Sequence, residues 1–396
     1  MPFNPSEELQ VILDMMREFL DKEIIPLEKE FESKGFKGIL PELEKKRDMV
    51  RQMELWAPLH AKDMGGMGLP LMDVAMIFEI LGRSQLGLYA FGCQAPDAGN
   101  IEILHKFGTK EQIEQYCRPT VQGKIRSCFA MTEVDVCGSN PTWILTTAEK
   151  DGDDYVLNGR KWYTSSADGA AYSIVMAETN PEAESRHMRS SMIIVPTDTP
   201  GFNIVRNISA MGHTGSDWPS HAEVSFQNCR VPQSNVIGGE GMGFVLAQQR
   251  LGPGRIHHCM RWVGISNRCF ELMCSYAKKR RRTPTQTLAD SDVIKTYIAD
   301  SAADILSSRL MVLNAAWTIQ NKGVKEAMKD ISIIKFHVAN AMNRVVDRAL
   351  QVHGGLGISD DTPIASFYRD ERAARIYDGA DEVHKLSVAK RILREF

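Results

Sequence analysis

Several absences narrow what this chain can be. None of its 396 residues build an apolar run long enough to cross a bilayer. Its eight cysteines, from Cys93 to Cys274, show no C-x-x-C spacing, so neither a zinc ribbon nor a redox pair can be laid on them. They read as buried thiols of a reducing compartment, with the cytoplasm as the default and an organelle matrix as the alternative. Neither sign of charge dominates. The net charge of −3 gives no reason to expect nucleic acid or an anionic membrane as partner. The opening MPFNPSEELQ has no basic segment followed by an apolar one, so no secretory signal is expected. There is no internal repeat and no low-complexity stretch. The glycines of GGEGMGF (238–244) cannot be spaced as G-x-G-x-x-G and lack strand–helix–strand flanks, which leaves a glycine-rich turn.

What is present is an ordinary globular composition, 43% hydrophobic and 24% charged, in a length that suits two or three domains. To about residue 125 the period is helical. Asn4 is the expected N-cap with Pro5 behind it, and Leu9, Ile12, Met16 and Phe19 recur at helical spacing. MDVAMIFEILGR and TKEQIEQYCRPTVQGK predict further helices, the second entered from Thr109. From about residue 127 to 236 short apolar runs alternate with turns. YVLNGRKWYTS reads as a hairpin closed by Asn158–Gly159, and HAEVSFQNCRVP as a strand with Val224 and Phe226 on one face. SMIIVPTDTPGFNIV predicts more strand. From Gly243 the helical period returns, with Ile294, Ile298 and Ile305 marking one long helix. Helices, then strands, then helices give an α+β class with segregated layers, divided as 1–126, 127–240 and 241–396.

Five stretches carry candidate chemistry. HHC (257–259) suggests metal ligands, but adjacent helical residues point about 100° apart, which favours a packed helix segment. KKRRR (278–282) is a solvated helix end or a pyrophosphate contact. CFAMTEVDVCGSNPT (128–142) opens the β region with small and hydroxyl residues whose backbone N–H groups could meet an anionic or heteroaromatic ligand. QVHGGLG (351–357) is a glycine helix cap or a point of close approach. RIYDGADEVHKL (375–386) sets Asp378 between Tyr377 and Gly379, where neither a charged tail nor a solvated helix face has use for a glycine.

Together these stretches resemble the acyl-CoA dehydrogenase family, in its order and near its intervals, over almost the whole chain. MTEVDVCGSN is similar to the flavin-contacting T-E-P…G-S-D segment, NGRKWYTS to the hairpin after it, QVHGGLG to the Q-x-x-G-G turn, and YDGADEVH to the segment that carries the base. CQAPDAGN, LGPGRIHHCMR and DGADEVH look most like the branch that holds members ten and eleven. The resemblance implies a helical N-terminal domain, a middle β-barrel-like domain and a C-terminal four-helix bundle. It implies FAD, a homotetramer built as a dimer of dimers, oxidation of an acyl-CoA to its trans-2-enoyl-CoA in fatty acid β-oxidation, and an electron-transferring flavoprotein as acceptor.

Residue by residue, the resemblance places Phe129, Met131 and Thr132 along the flavin ring, and Gly138 and Ser139 at the cofactor and the pantetheine. Tyr163 stands where a tryptophan usually covers the flavin, and Ser165 where a threonine faces its N5. Arg255 matches an arginine near the coenzyme A nucleotide, and Arg281 and Thr283 match the FAD pyrophosphate site shared across a subunit interface. Gln351, Gly354 and Gly355 match the turn that touches a neighbouring subunit's flavin, and Asp378 matches the base. Gly379 would let one residue present both an amide N–H and a carboxylate to the thioester. The departures are Val134 for proline with one extra residue before Gly138, Asn140 for aspartate, Pro284–Thr285 for F-G, and Ala380 and Glu382 for a threonine and a glutamine. Gly254 occupies the base position of a minority of the family and cannot serve. An aspartate is one methylene shorter than the usual glutamate, which predicts room for a bulkier or oxygenated acyl chain. Two other readings stand beside this one: an oxygen-using oxidase or monooxygenase of the same fold, and a flavoprotein that binds nucleic acid through KKRRR.

Overall fold

A computed structural model describes residues 3–396. The chain divides into two compact units, one built from residues up to Glu32, Leu69–Ala90 and Gly252–Phe396, the other from Ser33–Gly68 and Phe91–Leu251.

The first unit is helical. Helix α1 (Glu7–Phe19) starts at Ser6, whose hydroxyl accepts the Leu9 N–H at 3.1 Å. The cap is therefore Ser6, not Asn4. A serine oxygen immediately before two acids satisfies an orphan donor and suits the positive end of the helix. Leu9, Leu13, Met16 and Phe19 form its buried face. Helix α2 (Leu71–Leu81) packs beside the long helix Gly243–Lys279, hereafter α4. Gly264 of α4 comes so near that an added Cβ would lie 2.2 Å from the Glu79 carbonyl, so only glycine lets the two backbones approach this closely. Arg268 of α4 grips Glu28 with two bonds of 2.6 Å and donates to the Arg83 carbonyl at 2.7 Å. Beyond α4 come α5 (Asp292–Lys322), α6 (Val324–His353), α7 (Ile364–Glu371) and α8 (Asp381–Ile392). Helix α6 buries Ile331, Ile334, Val338, Met342, Val345 and Ala349, a stripe at intervals of three and four.

The second unit holds helix α3 (Asp97–Phe107) and the sheet. Its strands are β1 (Ser127–Ala130), β2 (Thr147–Asp151), β3 (Asp154–Ser165), β4 (Tyr172–Glu178), β5 (Ser190–Pro196), β6 (Phe202–Asn207) and β7 (His221–Pro232). They lie in the order β1-β4-β2-β3-β7-β6, with β5 antiparallel to β4. Alternate residues of β7, Val224 and Phe226 among them, fill the sheet's core with Tyr155, Leu157, Val175 and Ile193. The hairpin expected at Asn158–Gly159 is elsewhere. β2 and β3 join through Gly152–Asp153, with Gly152 at φ 64°, while Asn158–Gly159 lies inside the twelve-residue β3 at a register shift against β7. A Cβ on Gly159 would stand 2.4 Å from the Thr146 hydroxyl, and Asn158 Oδ1 accepts the Asn228 N–H at 2.8 Å. Both dipeptides carry turn chemistry. Strand pairing on either side decided which one turned and which one became a bulge.

Candidate active site

Residues 372–375 form a single 3₁₀ turn after α7, and α8 begins at Asp381 with two acids in its first turn. Between them Asp378 adopts φ 54° and Gly379 φ 97°. A left-handed aspartate is uncommon and costs conformational energy, so its surroundings must hold it. They do so through its carbonyl. Arg255 donates to that oxygen from Nε at 3.2 Å and from Nη2 at 3.1 Å, and His384 Nε2 donates at 3.1 Å. Lys335, fully buried on α6, donates to the Ala374 carbonyl at 2.7 Å and to the Gly379 carbonyl at 3.1 Å. The carboxylate is met by a different residue: His258 Nε2 lies 3.3 Å from Asp378 Oδ2.

Gly379 has a second reason to be glycine besides its φ. A Cβ there would lie 2.7 Å from His384 Nε2. His384 is buried and bonded to the backbone carbonyl of Asp378. Its neighbours in sequence behave otherwise. Asp381 is buried and accepts from Arg375 Nε at 2.9 Å and Asn340 Nδ2 at 2.8 Å, whereas Glu382 is exposed. The three acids of RIYDGADEVHKL thus divide into one in a left-handed turn beside His258, one committed to an ion pair and one in solvent.

Burial controls the electrostatics of this corner. It pushes His258 down to about 4 against the pull of Asp378, and His384 down to about 4 with Arg255 adding to the effect. Burial also lowers Arg255 and Lys335 from their usual values. Both imidazoles are therefore neutral at pH 7. The nearest arginine is bonded to a carbonyl rather than to the carboxylate. Sequence reasoning missed both histidines. The available signal was spacing: His258 follows Arg255 by three residues, so both leave one face of α4.

The remaining candidates of the first unit lie at helix ends. Arg281 and Thr283 sit in the exposed turn after α4, where Thr283 Oγ1 accepts the Gln286 N–H at 3.0 Å and Arg281 Nη1 donates to the Pro284 carbonyl at 3.3 Å. Pro284–Thr285 forms the tip of that turn. Gln351 is exposed at the end of α6. Gly354, at φ 60°, and Gly355 have nothing within 4 Å of where a Cβ would be, so the backbone there is open to approach.

The second unit groups the others around the start of its sheet. Phe129 lies on β1 under the Arg250 guanidinium, 4.1 Å from the ring centroid. Met131 and Thr132 follow. Thr132 accepts the Trp162 N–H at 3.0 Å, and its methyl is 3.1 Å from where Gly138 would carry a Cβ. The loop is stapled by a buried ion pair. Lys161 Nζ lies 2.8 Å from Glu133 Oε1 and donates to the Met131 carbonyl at 3.0 Å, while Glu133 also accepts from the Leu145 and Thr146 amides at 2.7 and 2.8 Å. Burial pushes the Glu133 carboxyl up, but Lys161 and the hydrogen bonds outweigh it and hold the group below its usual range. Ser139 is exposed beside Cys137, whose sulfur is 2.8 Å from its hydroxyl. Tyr163, at φ 48° and 48% exposed, stands edge-on to Trp162 at 5.2 Å. Ser165 Oγ lies 2.8 Å from His221 Nδ1.

Three family models match the chain: the acyl-CoA dehydrogenase N-terminal domain over residues 6–124, the middle domain over 128–229 and the C-terminal domain over 241–393. Helical, sheet and helical segments in that order are the architecture observed, an α+β fold of the acyl-CoA dehydrogenase type. The probable acyl-CoA dehydrogenase FadE2 of Mycobacterium tuberculosis is 44% identical over 353 residues, 88% of this chain and 85% of its own. Human acyl-CoA dehydrogenase family member 11 is 40% identical over 99% of this chain, which spans about half, 51%, of that relative's length. Butyryl-CoA dehydrogenase from Megasphaera elsdenii superposes with a TM-score of 0.85 at 26% identity, covering 99% of this chain and 100% of its own. The chain belongs to the acyl-CoA dehydrogenase family, a family of oxidoreductases.

Proposed function

We propose that this chain is an FAD-dependent acyl-CoA dehydrogenase in which Asp378 removes the α-proton of an acyl-CoA as the trans-2-enoyl-CoA forms. The observation that carries the reading is the Asp378–Gly379 turn. Its backbone is strained and its carbonyl is clamped by Arg255 and His384, while the carboxylate meets a neutral imidazole.

Asp378 acts as the general base, and its backbone N–H donates to the thioester carbonyl as negative charge develops there. Gly379 supports that pose, and Arg255 holds it while lying on the coenzyme A side. Ser139 contacts the pantetheine arm.

The residues present fit a flavin. Tyr163 offers an exposed ring beside Trp162, whose buried Nε1 has no partner among the described residues. Phe129, Met131, Thr132, Gly138, Ser139, Tyr163 and Ser165 would hold the ring region. Arg281, Thr283, Gln351, Gly354 and Gly355 would hold the pyrophosphate side and reach a neighbouring subunit. FAD, when bound, accepts the β-hydride.

The proposed physiological acceptor is an electron-transferring flavoprotein and the proposed assembly a homotetramer. Exposed apolar side chains on α5 and α8, such as Val293, Leu306 and Leu386, support an oligomer that covers them. No helix among the described residues is long and apolar enough to cross a membrane.

The test is anaerobic bleaching of the flavin absorbance across a panel of straight-chain, branched and hydroxylated acyl-CoAs. Some member should bleach it, and Asp378→Asn should slow that bleaching by about 1,000-fold or more. Bleaching at the unaltered rate in Asp378→Asn would refute the base assignment. Fast peroxide formation without any acceptor protein would favour the oxidase reading. A strong preference for plain straight chains would remove the argument that the short base makes room.

A further inference from the structure

Glycine is the freest residue in a chain, and Gly379 directly follows the acid assigned to the chemistry. Two rotations set the pose there, those that join the Asp378–Gly379 peptide plane to the Gly379–Ala380 plane. The first plane is held at its oxygen, since the Asp378 carbonyl accepts from Arg255 and His384. The second is held at its own oxygen by Lys335, whose Nζ donates to the Gly379 carbonyl at 3.1 Å. The same Nζ donates to the Ala374 carbonyl at 2.7 Å. One nitrogen thus ties both ends of the segment 374–379, within which Asp378 and Gly379 are left-handed.

Lys335 is itself held. It belongs to the buried stripe of α6, and its Nζ lies 5.6 Å from the Trp262 ring centroid and 5.7 Å from that of Tyr377. Aromatic rings suit an ammonium group removed from water. Burying such a group is nonetheless costly, and an apolar side chain would fill the same space without that cost. What the lysine adds is two hydrogen bonds, and both go to the segment that carries Asp378.

We propose that Lys335 is a positioning residue: by bonding the Ala374 and Gly379 carbonyls it locks the Gly379 hinge and so fixes where Asp378 meets the acyl-CoA. The inference rests on the reading of Asp378 as the base. In the step it serves, the substrate Cα–H bond breaks, the electron pair stays with the acyl group and the proton forms an O–H bond with the Asp378 carboxylate. Lys335 gives and takes no proton in that step. It removes the rotations at Gly379 before the substrate arrives, where a misplacement of about 1 Å can cost about 100-fold in rate.

The probe is 3,3-dimethylbutyryl-CoA, which has α-hydrogens and no β-hydrogen, so it reports proton transfer without any hydride transfer. Deuterium uptake at its α-carbon from D₂O is followed by mass spectrometry on the FAD-loaded protein, per bound FAD and across probe concentration. Lys335→Met keeps the length of the side chain and loses the donor. Lys335→Gln keeps a donor one bond shorter, which reaches one carbonyl at most. Lys335→Met should lower the maximal exchange rate about 10- to 100-fold and move the half-saturating concentration by less than about twofold. Lys335→Gln should fall between it and the unaltered chain. Backbone amide exchange reads the turn directly. The Ile376 and Tyr377 N–H groups bond the Ala373 carbonyl at 2.8 and 3.1 Å, so both should exchange slowly in the unaltered chain and about tenfold or more faster in Lys335→Met.

An unaltered maximal rate per bound FAD in folded Lys335→Met overturns the proposal. A lysine that served stability alone would lower the unfolding midpoint and leave that rate in place. Slowing without faster amide exchange at Ile376 and Tyr377 overturns it as well, because the effect would not pass through the turn. If neither variant folds, the unaltered chain still decides: slow exchange of those two amides supports the clamp, and free exchange overturns it. Asp378→Asn separates the two layers of argument. If it exchanges the probe like the unaltered chain, the base assignment fails. If it is silent while Lys335→Met is unaffected, only the positioning role fails.

Discussion

Two carboxylates, Glu133 in the sheet unit and Asp378 in the helical unit, are held in opposite ways. Glu133 is saturated: the Lys161 ammonium and two backbone N–H groups meet its oxygens, and the pair is almost fully buried. Asp378 keeps a side chain 20% exposed, has its arginine on the carbonyl, and faces a neutral histidine. A carboxylate surrounded by donors and a cation is a stable anion and a poor base. The difference separates a carboxylate that staples a loop from the one proposed as the base, although both lie in motifs shared with the same family.

The comparison can be broken most severely by Lys161→Met. It leaves a buried, unpaired Glu133 and should cost about 3–5 kcal/mol in urea unfolding, whereas the double variant with Glu133→Gln should recover most of that. A single variant as stable as the original would mean that the staple is not structural.

Acid should act next, and it should act on the helical corner. His258 and His384 sit near 4 in the folded chain, against an ordinary value near 6.5. Below 6.5 the unfolded chain binds protons that the folded one refuses, so stability falls as pH drops from 6.5 towards 4 and is fully present above 6.5. Each such group contributes on the order of a few kcal/mol across that window. Denaturation midpoints at pH 7 and pH 5 measure it. A flat profile would show that these imidazoles are not buried neutral.

A smaller change is expected from Gly379→Ala. The new methyl meets His384 at φ 97°, which should cost about 1–3 kcal/mol and slow flavin bleaching with little effect on FAD content. Unchanged bleaching in a folded variant would detach the glycine from the pose of Asp378.

Much of this was legible along the chain. The helical stripes, the strand carrying Val224 and Phe226, the Thr109 cap and the order of layers all follow from local periodicity and capping. The errors share one cause. Asn158–Gly159 and Asp151–Gly152 are equally good turn signals, and only the neighbours of β3 distinguish them. Asn4 and Ser6 are both good caps, and the helix began at the later one. The stretch holding His258 reads as a packed helix segment because nothing local shows what an imidazole will face.

The sequence by itself determined the class of each segment, the family and the acid worth testing, because those depend on residue types and spacings within a few turns of chain. The tertiary structure alone decided what that acid meets. Arg255 and His258 lie 120 or more positions before Asp378, and Lys335 reaches the same turn from a third helix. Whether a carboxylate becomes a stable anion or a base depends on the few ångströms of charge and burial around it. Residues that distant are brought within hydrogen-bonding range only by the packing of α4, α6 and α8.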